Sequence, residues 1–93
     1  MHRKKHLRFH IDPETGEPHI FRHGVTEEEV IEILRKPEED RKSRDGSRAA
    51  IGQTADGRYL KVVYVLDEDA AFIVTAWELQ GKPLLAFRRR RRH

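Results

Sequence analysis

The sequence predicts an α+β domain: an antiparallel sheet of three to four strands with one main helix packed on one face. Three observations carry this prediction. Residues 47–79, SRAAIGQTADGRYLKVVYVLDEDAAFIVTAWEL, hold three runs rich in β-branched and aromatic residues, separated by two polar turns. Residues 26–37 hold a helix start, an apolar stripe and a stop. The length, 93 residues, suits one domain with one modest core.

The first element is residues 6–12, HLRFHID, which alternate as a short strand. Leu7, Phe9 and Ile11 share one face; His6, Arg8, His10 and Asp12 share the other. Asp12-Pro13-Glu14-Thr15-Gly16 is a turn, with proline presetting φ and glycine permitting a positive one. Residues 19–23 are either one helical turn or an extended link, with Ile20 and Phe21 assigned to the core.

The helix follows. Thr26 is the N-cap and Glu29, three residues later, completes a capping box; Val25 and Val30 form the hydrophobic staple. Glu27, Glu28 and Glu29 complement the positive end of the helix dipole. Val30, Ile33 and Leu34, with Ile31 beside them, make the buried stripe. Arg35 and Lys36 suit the C-terminal end and Pro37 stops the helix. Residues 38–46, EEDRKSRDG, contain no apolar side chain and read as an exposed, mobile loop.

The sheet comes next, in runs 47–54, 58–66 and 71–78. Asp56-Gly57 reads as a two-residue type I′ turn. That register sets Ala55 against Arg58, Ile51 against Val62 and Ala49 against Tyr64. It places Leu60, Val62, Tyr64, Leu66, Ala49 and Ile51 under the helix. Arg48, Ala50, Gly52, Thr54, Tyr59, Lys61, Val63 and Val65 then share the opposite face. A slip of one residue would reverse every assignment. Asp67-Glu68-Asp69 is the second turn. The third run offers Ile73, Thr75 and Trp77 on one side and Phe72, Val74, Ala76 and Glu78 on the other, with its register open. After the turn at residues 79–83, Leu84, Leu85 and Phe87 lead into the arginines as a short helix or an extended tail.

Charge divides the chain. Residues 1–8 carry Arg3, Lys4, Lys5 and Arg8, and residues 88–92 are five arginines. The stretch between holds ten cations and sixteen acids, a net of −6, so the net of +3 comes from the ends. The predicted organisation is a basic arm at 1–8, a single domain at 9–87 and a basic tail at 88–93. Basic arms on an acidic body point to phosphate contact; the alternative is solvated tails, or arms packed on the protein's own acidic helix. The absence of cysteine excludes disulfides and thiol chemistry. With no apolar run of membrane length and no signal-peptide apolar region, the expectation is a soluble, cytoplasmic protein with no membrane partner.

The run 48–58, RAAIGQTADGR, followed by LKVVY at 60–64, resembles the central hairpin of BrnT-type toxins, part of the RelE-like superfamily of small ribonuclease toxins. The similarity extends upstream to Asp12-Pro13 and to Arg22-His23-Gly24-Val25. Downstream it takes in Ile73-Val74-Thr75-Ala76 and the arginine-rich end, covering most of residues 9–92. The resemblance implies a RelE-like fold, RNA bound on the exposed sheet face, metal-independent cleavage by basic and polar side chains without a cofactor, and a separate antitoxin partner, with RNA reached on or off the ribosome. By position, His23, Arg48 and Arg58 match family-like residues and are the candidate catalytic set. Two features depart from the family pattern. Trp77 follows Ala76 where an arginine is common, and no late tyrosine follows Arg88.

The residue chemistry fits these roles and also plainer ones. Histidine is suited to proton transfer near neutrality, so His23 is a candidate acid or base; otherwise it fixes the helix entry. Arg48 and Arg58 can hold a phosphate bidentately, or are solvated polar-face residues. Glu78 is a further candidate base. Tyr59, Lys61 and Trp77, with Arg88, Arg89 and Arg90, are the candidate RNA-binding residues, against a reading of Trp77 as core. His19 and His23, four apart, with His10, are the weaker case for a metal, and no ligand set is assigned. The alternative function is a non-enzymatic nucleic-acid- or protein-binding module of the same fold.

Overall fold

The computed structural model describes residues 6–91. The elements in chain order are β1 (His6–Phe9), a 3-10 turn (His19–His23), α1 (Glu27–Arg35), β2 (Glu39–Lys42), β3 (Arg48–Gln53), β4 (Tyr59–Leu66), β5 (Ala70–Glu78) and α2 (Gly81–Arg91). They make one five-stranded sheet in the order β1-β5-β4-β3-β2. The β2-β3-β4-β5 pairs are antiparallel, and β1 lies parallel to β5. The α+β class holds, but the sheet is mixed and has five strands rather than three or four, and a second helix follows it.

The expected helix entry is present. Thr26 Oγ1 accepts from the Glu29 N–H at 3.2 Å, and the Thr26 N–H donates to Glu29 Oε1 at 2.9 Å. Val25 and Val30 are buried, and α1 lays Val30 and Ile33 onto Ala50, Leu60, Val62, Tyr64, Ile73 and Ala76. Leu7 and Phe9 pack at the edge of this core. Ile20 joins it, but Phe21, expected inside, is 42% exposed, and Ile11, placed on the face of Leu7 and Phe9, is 49% exposed. Ile11 escapes because β1 pairing ends at Phe9 and the chain turns to bridge Ile11 with Pro18.

The β3–β4 register differs from expectation by one residue. The Thr54 N–H donates to the Arg58 carbonyl at 2.8 Å, closing a three-residue loop, Ala55-Asp56-Gly57, with Gly57 at φ +93°. Ile51 therefore faces Lys61, Ala50 faces Val62 and Arg48 faces Tyr64. Ala50 and Gly52, not Ala49 and Ile51, lie under α1, where Gly52 leaves room for Ile33. Arg48 consequently lies on the α1 face beside Tyr64, away from Lys61. In β5 the alternation itself breaks. The ladder shifts between Val63 and Tyr64, where Thr75 and then Ile73 are the partners, so Val74 is an extra residue. Ala71, Ile73, Ala76 and Glu78 then share the α1 face, and Phe72, Thr75 and Trp77 the other.

Residues 39–42, expected in a mobile loop, form β2. Its ladder runs from Glu39–Ile51 to Lys42–Arg48, and Asp40 on the α1 face accepts from Tyr64 Oη at 2.5 Å and Arg48 Nε at 3.2 Å. The arginine run continues α2 as its last turn to Arg91. Of the N-terminal arm, residues 1–5 lie outside the described residues and Arg8 is part of β1.

Candidate nucleic-acid interface

The two faces of the sheet are unlike. One is covered by α1, apart from an apolar cleft lined by Leu7, Ile31, Leu34, Tyr64, Leu66 and Ala71. The other is crossed by α2 at one end only, where Phe87 is buried with Ile51 and Leu79 in a second small core. Tyr59 packs there against Phe87, ring centroids 5.6 Å apart, with the Arg88 guanidinium 5.7 Å above its own ring. Two arginines anchor α2 to β2. Arg90 donates through Nε and Nη2 to the two Glu39 oxygens, each at 2.9 Å, and Arg91 Nη1 donates to the Glu38 carbonyl at 3.1 Å. The Arg90 hydrogen bonds hold the Glu39 carboxyl below the usual carboxylate range, against its desolvation. Arg89 is exposed on the same turn.

Beyond α2 the face is open, and at its α2 border stand Lys61 and Trp77. They are cross-strand partners, with Lys61 Nζ 5.6 Å from the centre of the indole. Lys61 makes no ion pair among the described residues. The acid that feels its charge, Glu39, is held by Arg90. Glu39 is also the one carboxylate that the five described strands place on this face; Asp40 and Glu78 face α1. Strand alternation puts Arg8 and Arg41 on the open face as well. Arg41 lies 3.6 Å from Glu39 and its side chain is 65% exposed. The result is a cationic, aromatic sheet surface opposite an acidic helix.

The candidate catalytic residues do not converge on that surface. Arg58 is on the α1 face, half-buried. Its Nη1 donates to Glu29 Oε2 at 2.7 Å, its Nη2 to the Gly24 carbonyl at 3.3 Å and its Nε to Glu78 Oε1 at 3.4 Å. Burial opposes its charge, but Glu29 and Glu78 outweigh that and hold it protonated. Arg48 is likewise held protonated by Tyr64 and Asp40. It begins β3, six residues before Thr54, which puts the two arginines about 20 Å apart at ~3.3 Å per strand residue. No single phosphate spans that distance. Glu78, the further candidate base, is a partner of Arg58. His23 is exposed at the end of the 3-10 turn, next to Gly24 and so near Arg58.

His23 belongs instead to a row of histidines. Its ring centre is 5.2 Å from that of His19, which is 5.8 Å from His10; His10 meets Phe72 edge-on at 6.4 Å. Buried Asp12 props the row. It accepts from the Glu14 N–H at 2.9 Å, pairs with Arg22 and lies 3.6 Å from His19 Nδ1. The Glu14 N–H and Arg22 hold its carboxyl below the usual range. Among the described residues no group of three or more His, Cys, Asp or Glu side chains is arranged to hold a metal ion. No described helix is long and apolar enough to cross a membrane.

Residues 19–78, from the 3-10 turn to the end of β5, match the family described as "Domain of unknown function (DUF4258)". The chain belongs to this family. The match includes His23, Arg48, Arg58, Tyr59, Lys61, Phe72 and Trp77, and leaves β1 and α2 outside. No curated protein and no solved structure matches the chain. The residues of the open face that sequence reasoning missed are Arg8, His10, Arg41 and Phe72. Alternation in HLRFHID pointed to the first two; Phe72 was assigned beside Ala76 and Glu78 for want of the bulge.

Proposed function

We propose that this DUF4258 domain binds RNA across the open sheet face, in the manner of the BrnT- and RelE-like toxins its hairpin resembles. The observation that supports this is the Lys61–Trp77 pair: an ammonium that makes no ion pair among the described residues, set over an indole, on a face whose strand carboxylate is already neutralised. Lys61 and Arg88 supply phosphate contacts, and Trp77 a stacking surface for a base. Tyr59 supports α2 rather than a base. Arg90 holds Glu39, and Arg89 extends the positive field.

The geometry favours binding over cleavage. Metal-independent cleavage needs a proton-transfer group and a phosphate clamp at one place. Here the two clamp arginines are far apart, each engaged by carboxylates on the α1 face, and His23 stands near Arg58 alone. In a toxin setting, a separate antitoxin protein would then act by covering the open face.

Trp77 is the single tryptophan of the chain, so its fluorescence reports this face directly. Titration with a short single-stranded oligouridylate is expected to quench it, with an affinity that falls as salt rises. Trp77→Phe is expected to weaken binding several-fold and Lys61→Ala about tenfold, within the 1–3 kcal/mol typical of one stacked base. Binding seen by anisotropy without Trp77 quenching would overturn the assignment of the face, and no binding would overturn RNA as ligand. Cleavage of the RNA, with or without ribosomes, that His23→Ala abolishes would overturn the preference for binding over catalysis.

A further inference from the structure

The open face does not end at Trp77. Five residues back along β5, on the same side, Phe72 stands 40% exposed. An exposed phenyl ring in the middle of a strand calls for a ligand or a reason. Its surroundings narrow the choice. Its cross-strand partner on β4 is Val65, also 40% exposed, so the pair lies open among the described residues. Its partner on β1 is Arg8, which makes no ion pair among the described residues. The His10 ring leans edge-on against it at 6.4 Å, and the row continues through His19 to His23. An aromatic platform, a guanidinium with no ion pair among the described residues and a bank of imidazoles thus lie together at the β1 edge of the sheet.

We infer that Phe72, His10 and Arg8 form a second base-binding subsite, and that the ligand of this face is a single-stranded RNA segment running along β5 from Trp77 to Phe72. This rests on the proposed RNA-binding role and specifies its substrate class. The separation of the two rings sets the length. Five residues of strand, shortened by the Val74 bulge, span about 15 Å. Nucleotides advance about 3.4 Å per step when stacked and further when extended, so three to five nucleotides join the two platforms. Only unpaired bases present a free face to both rings at once; a duplex keeps its bases stacked inward. Arg8 is placed to neutralise the phosphate of the nucleotide on Phe72, as Lys61 does at Trp77.

A second copy of the chain is the competing occupant for an exposed phenyl–valine pair. A two-fold contact centred on Phe72 would bring the Arg8 guanidiniums of the two protomers into one small interface, setting like charges close together. An anionic polymer meets the Arg8 guanidinium with complementary charge.

The test uses the full chain and oligouridylates of two to twelve nucleotides, read by Trp77 quenching, with a self-complementary RNA duplex as control. For the wild type, affinity is expected to step up by about tenfold once the strand exceeds roughly four nucleotides. Phe72→Ala is expected to abolish that step while leaving dinucleotide binding unchanged, and Phe72→Tyr to restore it. Because Phe72 is largely outside the core, the variant keeps its fold, which a thermal melt verifies. Equal affinities of Phe72→Ala and wild type at every length would overturn the subsite, as would equal loss at every length, equal binding of the duplex, or dimerisation that Phe72→Ala removes. Trp77 quenching that persists in those cases leaves the wider RNA-binding reading standing; its absence with every strand sinks that reading instead.

Discussion

Arg58 offers the sharpest separation of a structural from a functional arginine. Its guanidinium joins three parts of the chain: the start of α1 through Glu29, the 3-10 turn through Gly24, and the end of β5 through Glu78. Glu29 cannot simply turn to water when Arg58 is removed. Its side chain is 14% exposed, and its other oxygen caps the Thr26 N–H at 2.9 Å. A charge-assisted hydrogen bond of this kind contributes about 1.5–3 kcal/mol, and the longer, more exposed Glu78 contact adds little. With Arg58 itself 27% exposed and partly screened, about 2 kcal/mol is expected for Arg58→Ala. In a domain of this size each kcal/mol shifts Tm by about 4–8 °C, so Tm should fall by about 10 °C. Arg58→Lys keeps the charge but loses the planar set of donors, and should recover less than half of the loss. Circular dichroism melts give the stability, and oligouridylate titration well below Tm gives the affinity, which should stay within about twofold of wild type because Arg58 faces α1. An Arg58→Ala protein that melts within about 2 °C of wild type yet binds RNA tenfold more weakly would refute the clamp and return Arg58 to the ligand.

Two further outcomes follow from the core. Desolvation first, and then the hydrogen bond to Asp40, push the Tyr64 phenol up to about 12. A phenol held neutral in the fold contributes stability that is complete below about pH 10, its unfolded value, and is lost as pH rises through about 12. In a Tyr59→Phe background the phenolate absorbance should therefore rise near pH 12, and Tyr64→Phe should flatten the alkaline fall in Tm; ionisation at the free-phenol value would contradict the burial. At Gly52, a Cβ would stand 3.3 Å from Ile33 Cδ1 and 3.6 Å from the Lys36 carbonyl. Since Ile33 is fully buried, Gly52→Ala should cost about 1–2 kcal/mol in urea unfolding, and a neutral result would mean that α1 shifts freely on the sheet.

What the sequence made legible was local. The capping box, the staple and the Pro37 stop lie within a dozen residues, and each side chain acts on backbone it can reach directly. The β4 pattern was equally plain, because Leu60, Val62 and Tyr64 face one continuous core. The hairpin turn was recognised but miscounted. A glycine with positive φ suits both the second position of a type I′ turn and the last position of a three-residue loop. Here Thr54 decides for the latter: its hydroxyl bonds the Asp56 carboxylate and accepts from the Arg58 N–H, closing the loop one residue earlier. One residue of register then moved Arg48 from the open face to the α1 face. The Val74 bulge did the same to Phe72, and no residue type there announces it. β2 was invisible for another reason. Its EDRK has no apolar residue to alternate, and what anchors it, Tyr64 on one face and Arg90 on the other, comes from 24 and 51 residues further along the chain.

These corrections bear on function more than on fold. The arginines with the strongest claim to a phosphate clamp, Arg48 and Arg58, hold carboxylates together on the side of the sheet that α1 covers. Arg90, from the run that looked most like a free basic tail, performs the same service for Glu39. That last pairing gives the open face its character. Left alone, Glu39 would set a negative charge near Lys61 and Arg41; bound through Nε and Nη2 of Arg90, it no longer opposes Lys61. The arginine run therefore acts on the interface through β2 as well as by its own charge, and α2 is better regarded as part of the surface than as an arm that reaches over it.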